Sequence, residues 1–312
     1  MSAALHVPVL LDEVVREMVP EPWDRDKESF WLDGTLGLGG HATAILMAAG
    51  PKAGLLGLDK DGEARAQAGQ VLQKFGTRVR IAACGFEDMH GPGRDFLQGR
   101  EGFDGILLDL GVSSMQLDNP ARGFSFRADA PLDMRLDPGS GLSAADWIKG
   151  QDEASLKAVL RDYGEEPRAS AIARSILRAQ PKTTLELAHA VLKVGWPHKE
   201  THPATKTFQA IRIAVNGELD ALKAALPRAL GLLKSGGRLG VISFHSLEDR
   251  IVKNYVAEQS TDCICPPSFP ECRCGHKAAL RKVLRKALAP SDDEIARNPR
   301  SRSAKLRVAE KL

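Results

Sequence analysis

The sequence predicts an α/β fold in which a doubly wound, mainly parallel sheet is interrupted by a small helical insertion. Three observations carry that expectation. Apolar runs ending in an acid alternate with helical patterns in the first half; strand-like runs vanish over residues 144–201; and an apolar run returns at Leu239. Strands covered by helices on both faces need no polar alternation, so such runs read as parallel strands. We expect a first α/β part at residues 1–137, a helical, substrate-binding insertion at 138–204, and a second α/β part with a basic C-terminal segment at 205–312.

Phe30-Trp31-Leu32-Asp33 runs directly into Gly34-Thr35-Leu36-Gly37-Leu38-Gly39-Gly40-His41, a pattern of strand, tight turn and helix. Residues 42–49 supply the helix and Gly50-Pro51 stops it. Residues 54–59 predict a second buried strand, again ending in an acid, 79–83 a third and 103–109 a fourth. Over residues 110–137, Gly, Ser, Asn, Pro and Arg show little periodicity, which predicts a long ordered loop near a site. Helical patterns follow at 152–162, 167–179 and 183–194, the last opened by the capping-box pair Thr183 and Glu186. Phe208, Ile211, Val215, Leu219, Leu222 and Leu226 keep helical spacing, with a bend expected near Asn216-Gly217. Residues 239–245 form a further strand, and an extended segment or late strand is expected beyond Asp292.

With 43% apolar and 27% charged residues, the composition is that of an ordinary globular chain. No apolar run approaches the roughly 20 residues that cross a bilayer, and residues 1–11 lack a basic stretch followed by an apolar core, so a cytoplasmic protein without membrane association is expected. Oligomeric state, including a dimer, is not legible. Charge is uneven: residues 277–312 hold eleven Lys or Arg against four Asp or Glu, leaving the remainder net acidic. Such asymmetry suits a polyanionic partner, because each phosphate contacted releases condensed counterions; a solubilising basic tail is the simpler alternative.

The glycine turn brings backbone close to a ligand and opens a helix N-terminus. Its relaxed match to G-x-G-x-x-G/A keeps a nicotinamide-dependent dehydrogenase as a rival reading. Asp33 favours a different ligand: immediately before the glycines it would repel a pyrophosphate but attract an ammonium or sulfonium group. Asp59 is placed to accept from ribose hydroxyls of either cofactor.

Five blocks then resemble one family: residues 6–14 (beginning His6-Val7-Pro8), Asp33 to His41, Asp109-Leu110-Gly111-Val112-Ser113-Ser114, residues 243–250 (beginning Ser243-Phe244-His245) and residues 298–307 (beginning Asn298-Pro299-Arg300). They are similar, in order and over nearly the whole chain, to the small-subunit ribosomal RNA cytidine-N4 methyltransferase H family. The resemblance implies a class I, Rossmann-like S-adenosylmethionine methyltransferase fold, 16S ribosomal RNA in the small subunit as partner, and a cytidine of the decoding region as target. It also implies cofactor contacts from Gly39, Gly40, His41, Asp59, Phe86, Asp109 and Gln116, to which the charge argument adds Asp33.

Cytosine N4 is a poor nucleophile, since its lone pair is delocalised into the ring, while a sulfonium is already an activated methyl donor. Positioning, and an acceptor aimed at the amine hydrogens, are the demands on the protein. The Asp/Asn-Pro-Pro-aromatic element of many amino-methyltransferases is absent here. Asp109 is the first candidate acceptor at the amine, with Ser113 as an alternative; His245 is the candidate for a later proton acceptor, against a structural histidine as the plainer reading. Arg122, Phe124, Phe126, Arg127 and Arg135 in the loop, with Arg300, Arg302 and Arg307 near the C-terminus, are expected to contact RNA. The target base must be unpaired or flipped out, because the methylated amine takes part in pairing.

Cys263, Cys265, Cys272 and Cys274 have the count of a zinc site, but one-residue gaps depart from the commoner two-residue spacing; a proline-rich loop of reduced thiols is the alternative. A non-catalytic RNA-binding ribosome-assembly factor is the rival from another class, and the intact Asp33, Asp59 and Asp109 weigh against it.

Overall fold

The computed structural model describes residues 8–195, 202–266, 269 and 271–312, so His6 and Val7 of the first block lie outside the described residues. The chain divides into two compact units, one taking the sequence up to Gly111 and again from Asp220, the other spanning Val112–Leu219.

In chain order the first unit opens with α1 (Leu11–Met18), β1 (Ser29–Asp33), α2 (Gly40–Ala49), β2 (Ala53–Leu58), α3 (Gly62–Leu72), β3 (Val79–Ala82), α4 (His90–Leu97) and β4 (Phe103–Asp109). The second unit holds α5 (Ser114–Asp118), α6 (Ala144–Lys149), α7 (Glu153–Gly164), α8 (Ala169–Ala179), α9 (Thr184–Leu192) and α10 (Ala204–Asn216). There follow α11 (Glu218–Leu232), β5 (Leu233–Ser243), α12 (Ser246–Gln259), β6 (Leu280–Lys282), α13 (Asp292–Arg297) and β7 (Lys305–Lys311).

The seven strands form one sheet in the order β3-β2-β1-β4-β5-β7-β6. The first five run parallel, and β7 lies antiparallel between β5 and β6. Alternate side chains of each central strand enter different cores. Leu32, Leu56, Leu58, Ile106 and Leu108 pack with Leu97, Leu222, Leu226 and Val252 of α4, α11 and α12. Trp31, Leu55 and Leu107 pack with Val14, Met18, Ile45, Leu46 and Ala68 of α1, α2 and α3. Two buried faces are the reason these strands read as unbroken apolar runs. β5 begins six residues earlier than its apolar run at Leu239, because a register shift opposite Phe103 and Gly105 admits the Ser235-Gly236-Gly237 stretch into the strand.

The helical unit is wider than 138–204. Phe124, Leu132 and Met134 from the N-terminal side and Phe208 and Ile211 from α10 share one core with Ile148, Leu160, Ile172 and Leu187. Residues 112–137 are therefore built into this unit: Arg122 O accepts from Met134 N at 3.0 Å, and Asn216 bridges Leu136 N and Met134 O at 2.8 Å each. The Thr183–Glu186 capping box forms as expected, and Gly217, at φ 61°, ends α10 where the bend was expected. Among the described residues, no helix is long and apolar enough to cross a membrane.

Candidate active site

β1, β2 and β4 are neighbours in the sheet, with Asp33 in register with Gly57 and Leu107. Asp33 and Asp109 end β1 and β4, and Asp59 directly follows β2, so three carboxylates gather at one edge. Strand order reverses between β1 and β4, and ligands of doubly wound sheets bind at the carboxyl ends beside such a reversal.

The glycine turn is fastened to both flanking strands. Gly34 N donates to Leu107 O and Leu36 N to Leu58 O, each at 2.9 Å. The Asp59 carboxylate accepts from Gly37 N and Asp61 N, both at 2.8 Å. Gly37 and Gly39 take φ of 51° and 79°, a region that branched backbones resist, and a Cβ on Gly40 would collide with the Pro8 ring. With Gly39 as N-cap, α2 starts without a side-chain cap among the described residues.

Asp109 is set between these parts. Its backbone N donates to Thr35 Oγ1 at 2.6 Å, while its Oδ2 lies 3.6 Å from Nδ1 of the buried His41. His41 Nε2 is 2.9 Å from Val9 O, which can only accept, so Nε2 carries hydrogen and Nδ1 is the nitrogen turned to Asp109. Asp109 Oδ1 is buried with no hydrogen-bond partner among the described residues.

Burial pushes the Asp33 carboxyl up to about 7, with the Asp59 charge adding to the rise and the Thr35 N–H opposing it. Burial also raises Asp59, against the N–H groups of Asp61 and Gly37. Asp109 is raised well above the carboxylate range by burial, then by Asp33 and Glu248. Burial thus raises all three acids, a cost that a cation relieves and a pyrophosphate would aggravate. The residues therefore fit a sulfonium donor and disfavour the dinucleotide reading.

Other expected site residues fall differently. Phe86 follows β3 and packs, partly buried, on the sheet core beside Gly34. His245 caps α12: its Nδ1 accepts from Glu248 N at 3.4 Å and its Nε2 lies 3.1 Å from Glu248 Oε1. With Nδ1 committed to the helix start, His245 serves as the cap of α12, while its buried Nε2 makes no hydrogen bond among the described residues. In the helical unit, Ser113 and Gln116 form the capping box of α5, so the Ser113 hydroxyl already accepts from Gln116 N at 3.2 Å. The Ser113 hydroxyl thus has a role at the helix start and keeps one further lone pair.

Five of the eight side chains expected to contact RNA are engaged within the protein. Arg122 is buried, donating to the carbonyls of Arg135 and Leu136 at 3.0 and 2.9 Å, and its guanidinium lies over the Phe124 ring. Phe124 is a core residue, and Phe126 packs on His202 and Phe208 with centroids 4.7 and 4.9 Å apart. Arg135 is paired with Asp133 at 2.9 and 2.7 Å, and Arg307 with Asp249 at 2.7 and 3.2 Å. Arg127, Arg300 and Arg302 are exposed. The four clustered cysteines converge, each Sγ within 4.8 Å of the others.

Two contributors escaped the sequence reading. Thr35 positions Asp109, and its signal was only its place within the glycine turn. Glu248, almost fully buried, accepts from Phe244 N and His245 N at 2.8 and 3.2 Å and adds negative charge near Asp109. Histidine is an unusual N-cap, which hid that capping pair.

Comparison with known proteins matches the geometry. The chain is 50% identical to the ribosomal RNA small subunit methyltransferase H of Dehalococcoides mccartyi strain 195, over all of this chain and 88% of that one. It is 46% identical to the protein of the same name from Heliobacterium modesticaldum, over 98% of both, and 48% identical to that of Geobacter sp. strain M21, again over 98% of both. The sheet with its antiparallel β7 is a class I methyltransferase fold. A model of the MraW methylase family matches residues 3–312, and the chain belongs to that family.

Proposed function

We propose that this protein transfers a methyl group from S-adenosylmethionine to N4 of a cytidine in the decoding region of 16S ribosomal RNA, acting in the cytoplasm on the small subunit. The observation that carries this reading is the trio Asp33, Asp59 and Asp109 at adjacent strand ends, beside the uncapped start of α2. The donor supplies an activated methyl on a positively charged sulfur. The relatives' names supply the substrate class.

Asp33 would meet the cationic end of the donor, whose positive charge would favour the ionised carboxylate. Asp59 holds the turn through Gly37 and accepts from ribose hydroxyls with its remaining lone pairs. The start of α2, at Gly40 and His41, would hold the donor's carboxylate, and Phe86 would pack on its adenine. Asp109 accepts from the amine hydrogens, stabilising the charge that develops on nitrogen as the methyl moves. Thr35, which accepts from the Asp109 N–H, positions the end of β4 that carries this carboxylate. Arg127, Arg300 and Arg302 lie on the surface available to RNA phosphates.

The test is methylation, with isotope-labelled S-adenosylmethionine, of small subunits from cells lacking this protein, read by mass mapping of the RNA. One labelled methyl on a decoding-region cytidine N4 is expected. Absence of label, or label on another base, overturns the proposal.

A further inference from the structure

The segment joining α12 to β6 has almost nothing apolar to hold it. None of the described residues in 260–279 is buried, and Ile264 and Phe269 stand about half exposed. Yet four side chains from its two arms meet at one point: the Sγ atoms of Cys263, Cys265, Cys272 and Cys274 all lie within 4.8 Å of one another.

The spacing is informative. Cys272 Sγ is 3.7 Å from Cys274 Sγ, which is 3.9 Å from Cys263 Sγ. A disulfide needs sulfurs about 2.05 Å apart, so these pairs are not bonded. A tetrahedral ion about 2.3 Å from each of four sulfurs sets every sulfur–sulfur edge at roughly 3.8 Å. Backbone donors also aim at the sulfurs: Cys265 N at Cys263 Sγ (3.4 Å), Ile264 N at Cys274 Sγ (3.4 Å) and Arg273 N at Cys265 Sγ (3.3 Å). N–H dipoles directed at sulfur favour the thiolate, the form that binds metal.

We propose that Cys263, Cys265, Cys272 and Cys274 bind one zinc ion as a closed tetrathiolate knuckle that fastens this segment. Soft thiolate ligands in tetrahedral array select zinc over the oxygen-seeking divalent ions. Four protein ligands leave no open position, so the role is structural. His276 is not among the side chains that converge there, and its Nε2 meets Glu258 O at 3.0 Å. That contact, with Ala279 N to Gln259 O at 2.8 Å and Ala278 N to Asp262 Oδ1 at 3.2 Å, closes the base of the knuckle onto the end of α12. The one-residue gaps, which departed from the commoner spacing, are accommodated because the ligands come as two C-x-C arms facing each other across the segment.

The full-length protein, purified under reducing conditions without chelator, should carry about one zinc per chain by elemental mass spectrometry. The double variant Cys263→Ser/Cys274→Ser should lose it, whereas Cys84→Ser, outside the cluster, should retain it. Should the double variant fail to fold, cobalt decides the matter on the wild type: cobalt(II) added to metal-free protein should give an intense sulfur-to-cobalt charge-transfer band that one equivalent of zinc abolishes. Metal-free wild-type protein that develops no such band, or equal zinc in wild type and double variant, overturns the proposal.

Discussion

Asp109 has one oxygen toward His41 and the other buried without a partner among the described residues, so its carboxylate is arranged for something that arrives. Asp109→Asn keeps the size and one acceptor but cannot ionise when the donor's positive charge reaches the site. Single-turnover methylation of small subunits at saturating donor should therefore slow about 100-fold or more, with donor affinity changed far less. A wild-type rate would reduce Asp109 to a structural residue. Asp33 makes a different prediction, through pH. Its carboxyl, ordinarily near 3.8, is raised to about 7 in the fold. The folded state thus holds a proton that the unfolded chain has released, and this contribution, present below the unfolded value, is lost as pH rises through the folded one. Relative to Asp33→Asn, which cannot ionise, the wild type should lose about 2–3 kcal/mol of stability between pH 5 and pH 8. Urea unfolding of both proteins across that range measures it; a constant difference would place the Asp33 carboxyl in its ordinary range. These acids were legible because each closes an apolar strand run. Arg122 and Phe124 were misread because composition does not say whether a guanidinium will find carbonyls or phosphates.

Elements whose signals are local were found from the sequence. Thr183 and Glu186 announced α9, and Thr183→Ala should destabilise the helical unit by about 1 kcal/mol, read by chemical denaturation. No measurable change would mean that packing of Leu187 and Val191 alone fixes that helix start. α1 had no such signal. Its N-cap is Leu10 in the left-handed region, and Leu10 N donates at 2.9 Å to the Glu294 carboxylate, on α13 near the far end of the chain. A cap supplied from there leaves no trace in the adjoining residues. β7 showed the alternation of a strand, but its place between β5 and β6 is a property of the sheet and not of its own seven residues.

For the molecule as a whole, the proposed RNA surface of the basic C-terminal region rests on the exposed Arg300 and Arg302. Arg300→Ala/Arg302→Ala should shallow the slope of log affinity for small-subunit RNA against log salt by about 1.5. Arg307→Ala should leave that slope nearly unchanged and instead lower stability, by stripping Asp249 of its bidentate partner. Equal slopes in wild type and the double variant would move the RNA surface elsewhere. The way the sheet is assembled also bears on how the protein is made. Val112–Leu219 is one continuous stretch, whereas the sheet draws on residues from both sides of it, and β7 is added last, into an interior position. During translation the helical unit can close as soon as it clears the exit tunnel, but β4 waits for β5, and β5 for β7, each with an open edge of unpaired backbone groups. Nascent chains stalled before Lys305 should therefore yield to protease in the sheet segments while the helical stretch resists, and full protection should appear only after Lys311 has emerged.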